Sequence, residues 1–280
     1  MKMASPARPQ GDNLRLSVPL WQICKTPASR SWDASTPEPR PLVVMPHGGP
    51  HSCTRLAYSA PMAFLASLGY AVLAPNYRGS TGFGADALAS LPGNCGTQDV
   101  EDVIACTRAF LDDPEHALDR GRVAVVGGSH GGFLGAWLVA AAPDLFRAAA
   151  LRNPVTNIAT MVGVTDIPDW CAVEAGARDA NAPPASPETL ATLFRASPAS
   201  KIDAIDAPVL VAVGLKDRRV PPSQGIEFYH ALKKRGKDAS LLVYEHDDHA
   251  LDTQRTNADH WVEIASFLEA HLGGASKEAA

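Results

Sequence analysis

Six short apolar runs recur from residue 42 onward, and none of them alternates apolar with polar residues. They are Leu42-Val43-Val44-Met45, Ala71-Val72-Leu73-Ala74, Val123-Ala124-Val125-Val126, Ala148-Ala149-Ala150-Leu151, Val209-Leu210-Val211-Ala212-Val213 and Leu241-Leu242-Val243-Tyr244. Continuous apolar strands need cover on both faces. That cover is at hand in helix-length amphipathic stretches near Met62 to Leu68, Val100 to Leu111, Gly132 to Ala141, Gly225 to Lys234 and His260 to Leu272. The alternation predicts an α/β fold on a doubly wound, mostly parallel sheet. No internal repeat interrupts it.

Three segments depart from this rhythm. Residues 1–41 contain Pro6, Pro9, Pro19, Pro27, Pro37, Pro39 and Pro41, which remove backbone donors and block long helices, so they read as a Pro-rich arm or linker. Within it Leu14, Leu16, Val18 and Leu20 alternate as an edge strand would, with Pro19 opposing that reading. Residues 154–207 carry Pro, Asp and Trp and one short helix near Glu188 to Phe194; they are expected to form an inserted, cap-like segment of a catalytic domain spanning 42–273. Residues 274–280 read as a flexible tail.

With 280 residues of which 46% are hydrophobic, the chain can bury one sizeable core. The balance of 25 basic against 30 acidic residues, net −5 with the basic ones scattered, offers no phosphate-tracking surface, so nucleic acid is excluded as a partner. The five cysteines are widely spaced with no Cys-x-x-Cys pair, which predicts reduced thiols, a cytoplasmic location and no structural zinc. No leader or membrane-spanning run is visible, so neither secretion nor a membrane is expected.

The chemistry concentrates at Gly127-Gly128-Ser129-His130-Gly131, which follows a buried strand and opens an apolar helix. Glycines on both sides of Ser129 permit the tight strand-to-helix turn of a nucleophile elbow. A serine hydroxyl needs a base, and the α/β-hydrolase order of Ser, acid, His finds both partners. Asp217 follows the run ending at Val213, on a loop at the carboxyl end of the sheet. His249 follows the last predicted strand and is the expected general base. His246 competes by spacing, and the two histidines with their acidic neighbours also resemble a metal loop; the metal reading is rejected because Ser129 and Asp217 already require a histidine there. No cofactor or metal is expected. His116, His230 and His271 read as surface residues. The glycines of Pro46-His47-Gly48-Gly49-Pro50, after the first core strand, suit an oxyanion hole made by the amides of Gly49 and His130.

Beyond these, Asn76-Tyr77-Arg78-Gly79-Ser80-Thr81-Gly82-Phe83-Gly84, Arg152-Asn153-Pro154-Val155, Thr165-Asp166-Ile167-Pro168-Asp169-Trp170-Cys171 and Asp217-Arg218-Arg219-Val220-Pro221 make residues of about 42 to 272 resemble the catalytic domain of the prolyl oligopeptidase family, in its acylaminoacyl-peptidase (acylamino-acid-releasing) branch. The resemblance implies an α/β-hydrolase fold, a serine-type peptidase acting on short N-acylated peptides, the triad Ser129, Asp217 and His249, and an ordering or substrate-binding Arg219. It also implies a β-propeller ahead of the hydrolase domain, for which 280 residues leave no room. The chain is therefore expected to be a fragment, a truncated product or a freestanding hydrolase.

Val155, Trp170 and Val220 are expected as walls of the substrate pocket, although Trp170 serves equally as packing within the insertion and Arg219 equally as a brace. Two other functions compete: a broad small-ester esterase with the same triad, and an inactive fragment that only binds partners. Self-association into a homo-oligomer is left open.

Overall fold

The computed structural model describes residues 21–23, 39–177 and 185–273. The alternating segment Leu14 to Leu20, most of the Pro-rich arm and the 274–280 tail lie outside the described residues. In chain order the elements are β1 (Trp21–Ile23), β2 (Arg40–Val44), α1 (Ala60–Ser67), β3 (Ala71–Pro75), α2 (Ala85–Ala89), α3 (Gln98–Asp112), β4 (Leu118–Gly128), α4 (His130–Ala141), β5 (Ala148–Arg152), α5 (Ile158–Met161), α6 (Pro168–Glu174), α7 (Pro187–Arg195), β6 (Val209–Gly214), α8 (Ser223–Lys234), β7 (Ala239–Tyr244) and α9 (Gln254–Leu272).

The strands form one sheet in the order β1-β3-β2-β4-β5-β6-β7. Only β1 runs antiparallel to its neighbour, and the other six strands are parallel. The six expected strands are the six parallel ones, as the α/β-hydrolase expectation requires.

Strand side chains divide between two cores by their period of two. Leu42, Val44, Leu73, Val123, Val125, Leu151, Val211 and Val213 pack with Val100, Val103 and Phe110 of α3, Phe133, Leu134 and Leu138 of α4, and Phe228 of α8. Val43, Val72, Ala124, Val126, Ala148, Ala150 and Leu210 pack against Leu65 of α1 and Trp261, Ile264 and Leu268 of α9. Burying each Val, Leu, Ile or Phe side chain among them contributes about 1.5–3 kcal/mol. Helix α4 is apolar on all sides and buried from His130 to Val139, because sheet, α3 and the inserted segment cover it together.

Two expectations need correction. The Leu241 to Tyr244 strand was expected to be covered on both faces, yet Val243 is exposed because β7 is the sheet's edge. His116 was expected at the surface but is buried, its ring 3.9 Å from that of Phe110 and its Nδ1 paired with the Phe110 carbonyl at 3.1 Å.

Sheet order places the site. From β2 the chain crosses to β3 on one side, whereas from β4 it proceeds to β5 on the other, so the carboxyl ends of β2 and β4 flank a topological switch point. The segments leaving those two ends are His47 to Pro50 and Ser129.

Candidate active site

Ser129 sits between β4 and α4 at φ 57° and ψ −122°, a conformation that costs a non-glycine residue about 1–3 kcal/mol. Packing around it leaves no alternative. A Cβ on Gly127 would lie 2.1 Å from the Gly131 carbonyl oxygen, and one on Gly131 would lie 2.3 Å from that of Pro46. The Ser129 amide donates to the Arg152 carbonyl at 2.9 Å, and its carbonyl accepts from Phe133 at 3.0 Å.

Asp217 is buried on the turn after β6. Its Oδ1 accepts the amides of Arg219 and Val220, both at 2.9 Å, which leaves Oδ2 for His249 Nδ1 at 2.7 Å. The partner is His249 and not His246, which is exposed. The loop between them turns on Asp247, whose buried carboxylate takes the hydroxyls of Thr253 and Thr256; those hydrogen bonds keep its carboxyl below the usual range despite the opposing effect of burial.

A cavity of about 560 Å³ opens over these residues. Ser129, His130, His249, Gly49, Arg219, Val155, Trp170 and Val220 all line it, with Asp217 behind His249. The structure thus brings every expected site residue to one place. It adds Met161 and Ile167 from the inserted segment, and Gly48, Pro50 and His51 from the β2 loop. His130 opens α4, so its amide is one of the first-turn N–H groups that a helix leaves free. Gly49 takes φ 60°, a conformation for which glycine is suited. Gly48 cannot carry a side chain, since its Cβ would lie 2.8 Å from the Gly128 carbonyl oxygen.

The stretch between β5 and β6 holds both loops, one through an ion pair and the other through a hydrogen bond. Asp166 Oδ1 accepts from Arg219 Nε at 2.7 Å, and Glu174 Oε1 faces His51 Nε2 at 2.8 Å. Arg219 is therefore braced while still lining the cavity. Trp170 likewise does both things expected of it, since it faces the cavity and lies edge-on to His130 at 6.0 Å. Beneath the β2 loop, His47 pairs with Ser80 Oγ at 2.8 Å and stacks on Tyr77 at 4.5 Å. Burial holds its pKa at about 4, so it is neutral at physiological pH.

Among the described residues, Cys95, Asp99 and His130 place potential metal-ligand atoms within 4.8 Å of one another. His130 Nδ1 faces Cys95 Sγ at 4.0 Å, however, while Nε2 faces Asp99 Oδ2 at 3.1 Å. Each ring nitrogen thus faces a different partner, the arrangement of a hydrogen-bonded chain through the imidazole.

The model of the prolyl oligopeptidase family matches residues 56–275. The chain belongs to that family. Among its relatives it is 47% identical to the acylamino-acid-releasing enzyme of Mus musculus over 233 residues, covering 83% of this chain and 32% of that protein. Against the enzyme of the same name from Arabidopsis thaliana the identity is 46%, covering 81% and 30%. The chain therefore spans about a third of the length of these family members. Among solved structures, the Pyrococcus horikoshii acylaminoacyl peptidase superposes with a TM-score of 0.77 at 26% identity, over 87% of this chain and 39% of that one. A Mycobacterium tuberculosis puromycin-hydrolyzing peptidase gives 0.78 at 28% identity, over 85% and 35%.

Proposed function

We propose that the chain carries the catalytic centre of a serine peptidase that releases an N-acylated amino acid from the N-terminus of a blocked peptide. The observation that carries this reading is the coupling of His249 to the buried Asp217, at the edge of the cavity into which the strained elbow presents Ser129. Asp217 fixes a proton on His249 Nδ1 and leaves Nε2 as the base.

Ser129 Oγ attacks the scissile carbonyl while His249 Nε2 takes its proton. The oxyanion that forms accepts hydrogen bonds from the amides of His130 and Gly49. Collapse breaks the C–N bond, and His249 returns the proton to the departing amine. A water molecule repeats the sequence on the acyl-enzyme and frees the N-acyl amino acid.

The lining of the cavity supports a blocked terminus. It contains no Asp or Glu side chain; behind it Asp166 is held by Arg219, Asp217 by His249, and Glu174 by His51 through Oε1 alone, its Oε2 being buried without a partner among the described residues. A free ammonium would meet no carboxylate on the lining itself, at a desolvation cost that a neutral acyl group avoids. Val155, Met161, Ile167, Trp170 and Val220 offer apolar contact to that acyl group and to one side chain. Short N-acylated peptides are the proposed substrates. No helix among the described residues is long and apolar enough to cross a membrane. A cytoplasmic setting is proposed from the wide spacing of the five cysteines in the sequence.

The test compares an N-acetyl-alanyl anilide, its free-amine counterpart and a short-chain aryl ester in the wild type and in Arg219→Ala. Preference for the blocked anilide, diminished by the substitution, supports the peptidase. Cleavage of the ester alone, indifferent to Arg219, favours a broad esterase.

A further inference from the structure

Asp99 lies at the start of α3, outside the cavity lining, and is fully buried. A buried carboxylate is costly unless its oxygens are satisfied. Here Oδ1 accepts the amides of Gly96 at 2.8 Å and Val100 at 3.0 Å, and Oδ2 accepts from His130 Nε2 at 3.1 Å. The platform under Asp99 is fixed as well, because a Cβ on Gly96 would lie 2.9 Å from Trp137 Nε1 and 3.0 Å from the Ala196 carbonyl oxygen.

The His130 ring, 1% exposed, is closed in by Phe133 at 4.9 Å and 21°, Tyr77 at 5.7 Å and the edge of Trp170 at 6.0 Å. Side chain and main chain of this residue thus face different tasks. Its backbone opens α4 beside Ser129, while its imidazole is anchored deep in the core.

We propose that Asp99 is a positioning residue for acyl transfer: by holding the His130 imidazole it fixes the peptide plane whose N–H meets the oxyanion. The inference rests on the oxyanion assignment made above. Ser129 is held at an unfavourable backbone angle; the peptide plane that follows it is held at its carbonyl by the Phe133 amide at 3.0 Å, and the next residue supplies a second anchor. His130 is pinned by its ring, and Asp99 supplies the hydrogen bond that sets the ring's rotation. Helix formation alone does not require a carboxylate at this depth.

The experiment uses two probes of opposite geometry. N-acetyl-boronoalanine forms a tetrahedral adduct with the serine and places an anionic oxygen in the hole; N-acetylalanine is planar and forms no such adduct. Asp99→Asn should bind the boronate about tenfold to a hundredfold more weakly and lose kcat on N-acetyl-alanyl anilide by the same factor. KM and the affinity for N-acetylalanine should stay within about twofold. His130→Leu keeps the amide and removes the ring; it should show the same loss, and the double variant should lose little more than either single one. Glu101→Gln, which alters an exposed acid in the same first turn of α3 outside the Cys95–His130–Asp99 chain, should stay within about twofold on all measures.

Wild-type boronate affinity in both Asp99→Asn and His130→Leu overturns the proposal while leaving the peptidase reading intact. Should Asp99→Asn fail to fold, unaltered boronate affinity in His130→Leu overturns it alone. A wild-type protein that neither binds the boronate nor cleaves the anilide overturns the reading of the site and this proposal with it.

Discussion

Asn153 ties the end of β6 to the loop bearing His249: its Oδ1 accepts the Gly214 amide at 2.9 Å, and its Nδ2 donates to the His249 carbonyl at 2.9 Å. The residue is 3% exposed and holds φ 40°, a left-handed conformation that Asn tolerates better than most side chains do. It spans the two loops that carry acid and base. Asn153→Ala removes both bonds and leaves the Gly214 amide unsatisfied. The expected result is a stability loss of about 1–3 kcal/mol and at least a tenfold fall in kcat, read by urea unfolding and by aryl-ester hydrolysis.

The competition between the two histidines of the last loop resolves into a direct comparison. His249→Ala should lower kcat by about three to four orders of magnitude, as loss of a triad base does, whereas the exposed His246→Ala should stay within about twofold. Equal losses in the two variants would contradict the placement of the base.

The elbow's glycines make a stability prediction. Gly127→Ala forces a methyl to within 2.1 Å of the Gly131 carbonyl oxygen, so the turn must shift. A loss of about 3 kcal/mol or more, with loss of activity, is expected in urea unfolding. Gly163→Ala is the control, because nothing lies within 4 Å of its added Cβ and its φ is not left-handed.

Two histidines link stability to pH. Burial holds His47 and His260 neutral in the folded state, each with a pKa near 4 instead of 6.5. The unfolded chain therefore binds more protons between pH 6.5 and 4. Stability is fully present above 6.5 and falls progressively towards pH 4, by about 3 kcal/mol for a group shifted this far. His260 lies on α9, away from the cavity, so His260→Gln should flatten part of this slope without altering the triad. A thermal-melting series across that range in the two proteins reads the difference.

Strand positions were legible because runs such as Val209 to Val213 have no polar side to turn to water. What local hydrophobicity does not encode is sheet order, which places β7 at an edge and exposes Val243. Ser129, Asp217 and His249 were legible because each follows a strand end with turn chemistry that few other functions need.

Met161 and Ile167 were not legible as cavity walls. They belong to or flank the short helices α5 and α6, of four and seven residues, too brief for a 3.6-residue pattern to show. Asp99 was hidden for a different reason: an acid in the first turn of an amphipathic helix reads as a favourable end charge, and only tertiary packing buries it against His130. His116 was misplaced because its burial depends on the local turn from Asp113 that returns its ring onto Phe110.

The central claim is that Ser129 takes up the acylated residue from a blocked substrate. It is tested most directly by mixing the protein with N-acetyl-alanyl anilide, quenching in acid within the first turnover, and mapping the digested protein by mass spectrometry. The account predicts an N-acetyl-alanyl ester on Ser129, matched by released aniline and absent in Ser129→Ala. Aniline released by the wild type with Ser129 unmodified and the adduct on another residue would contradict it.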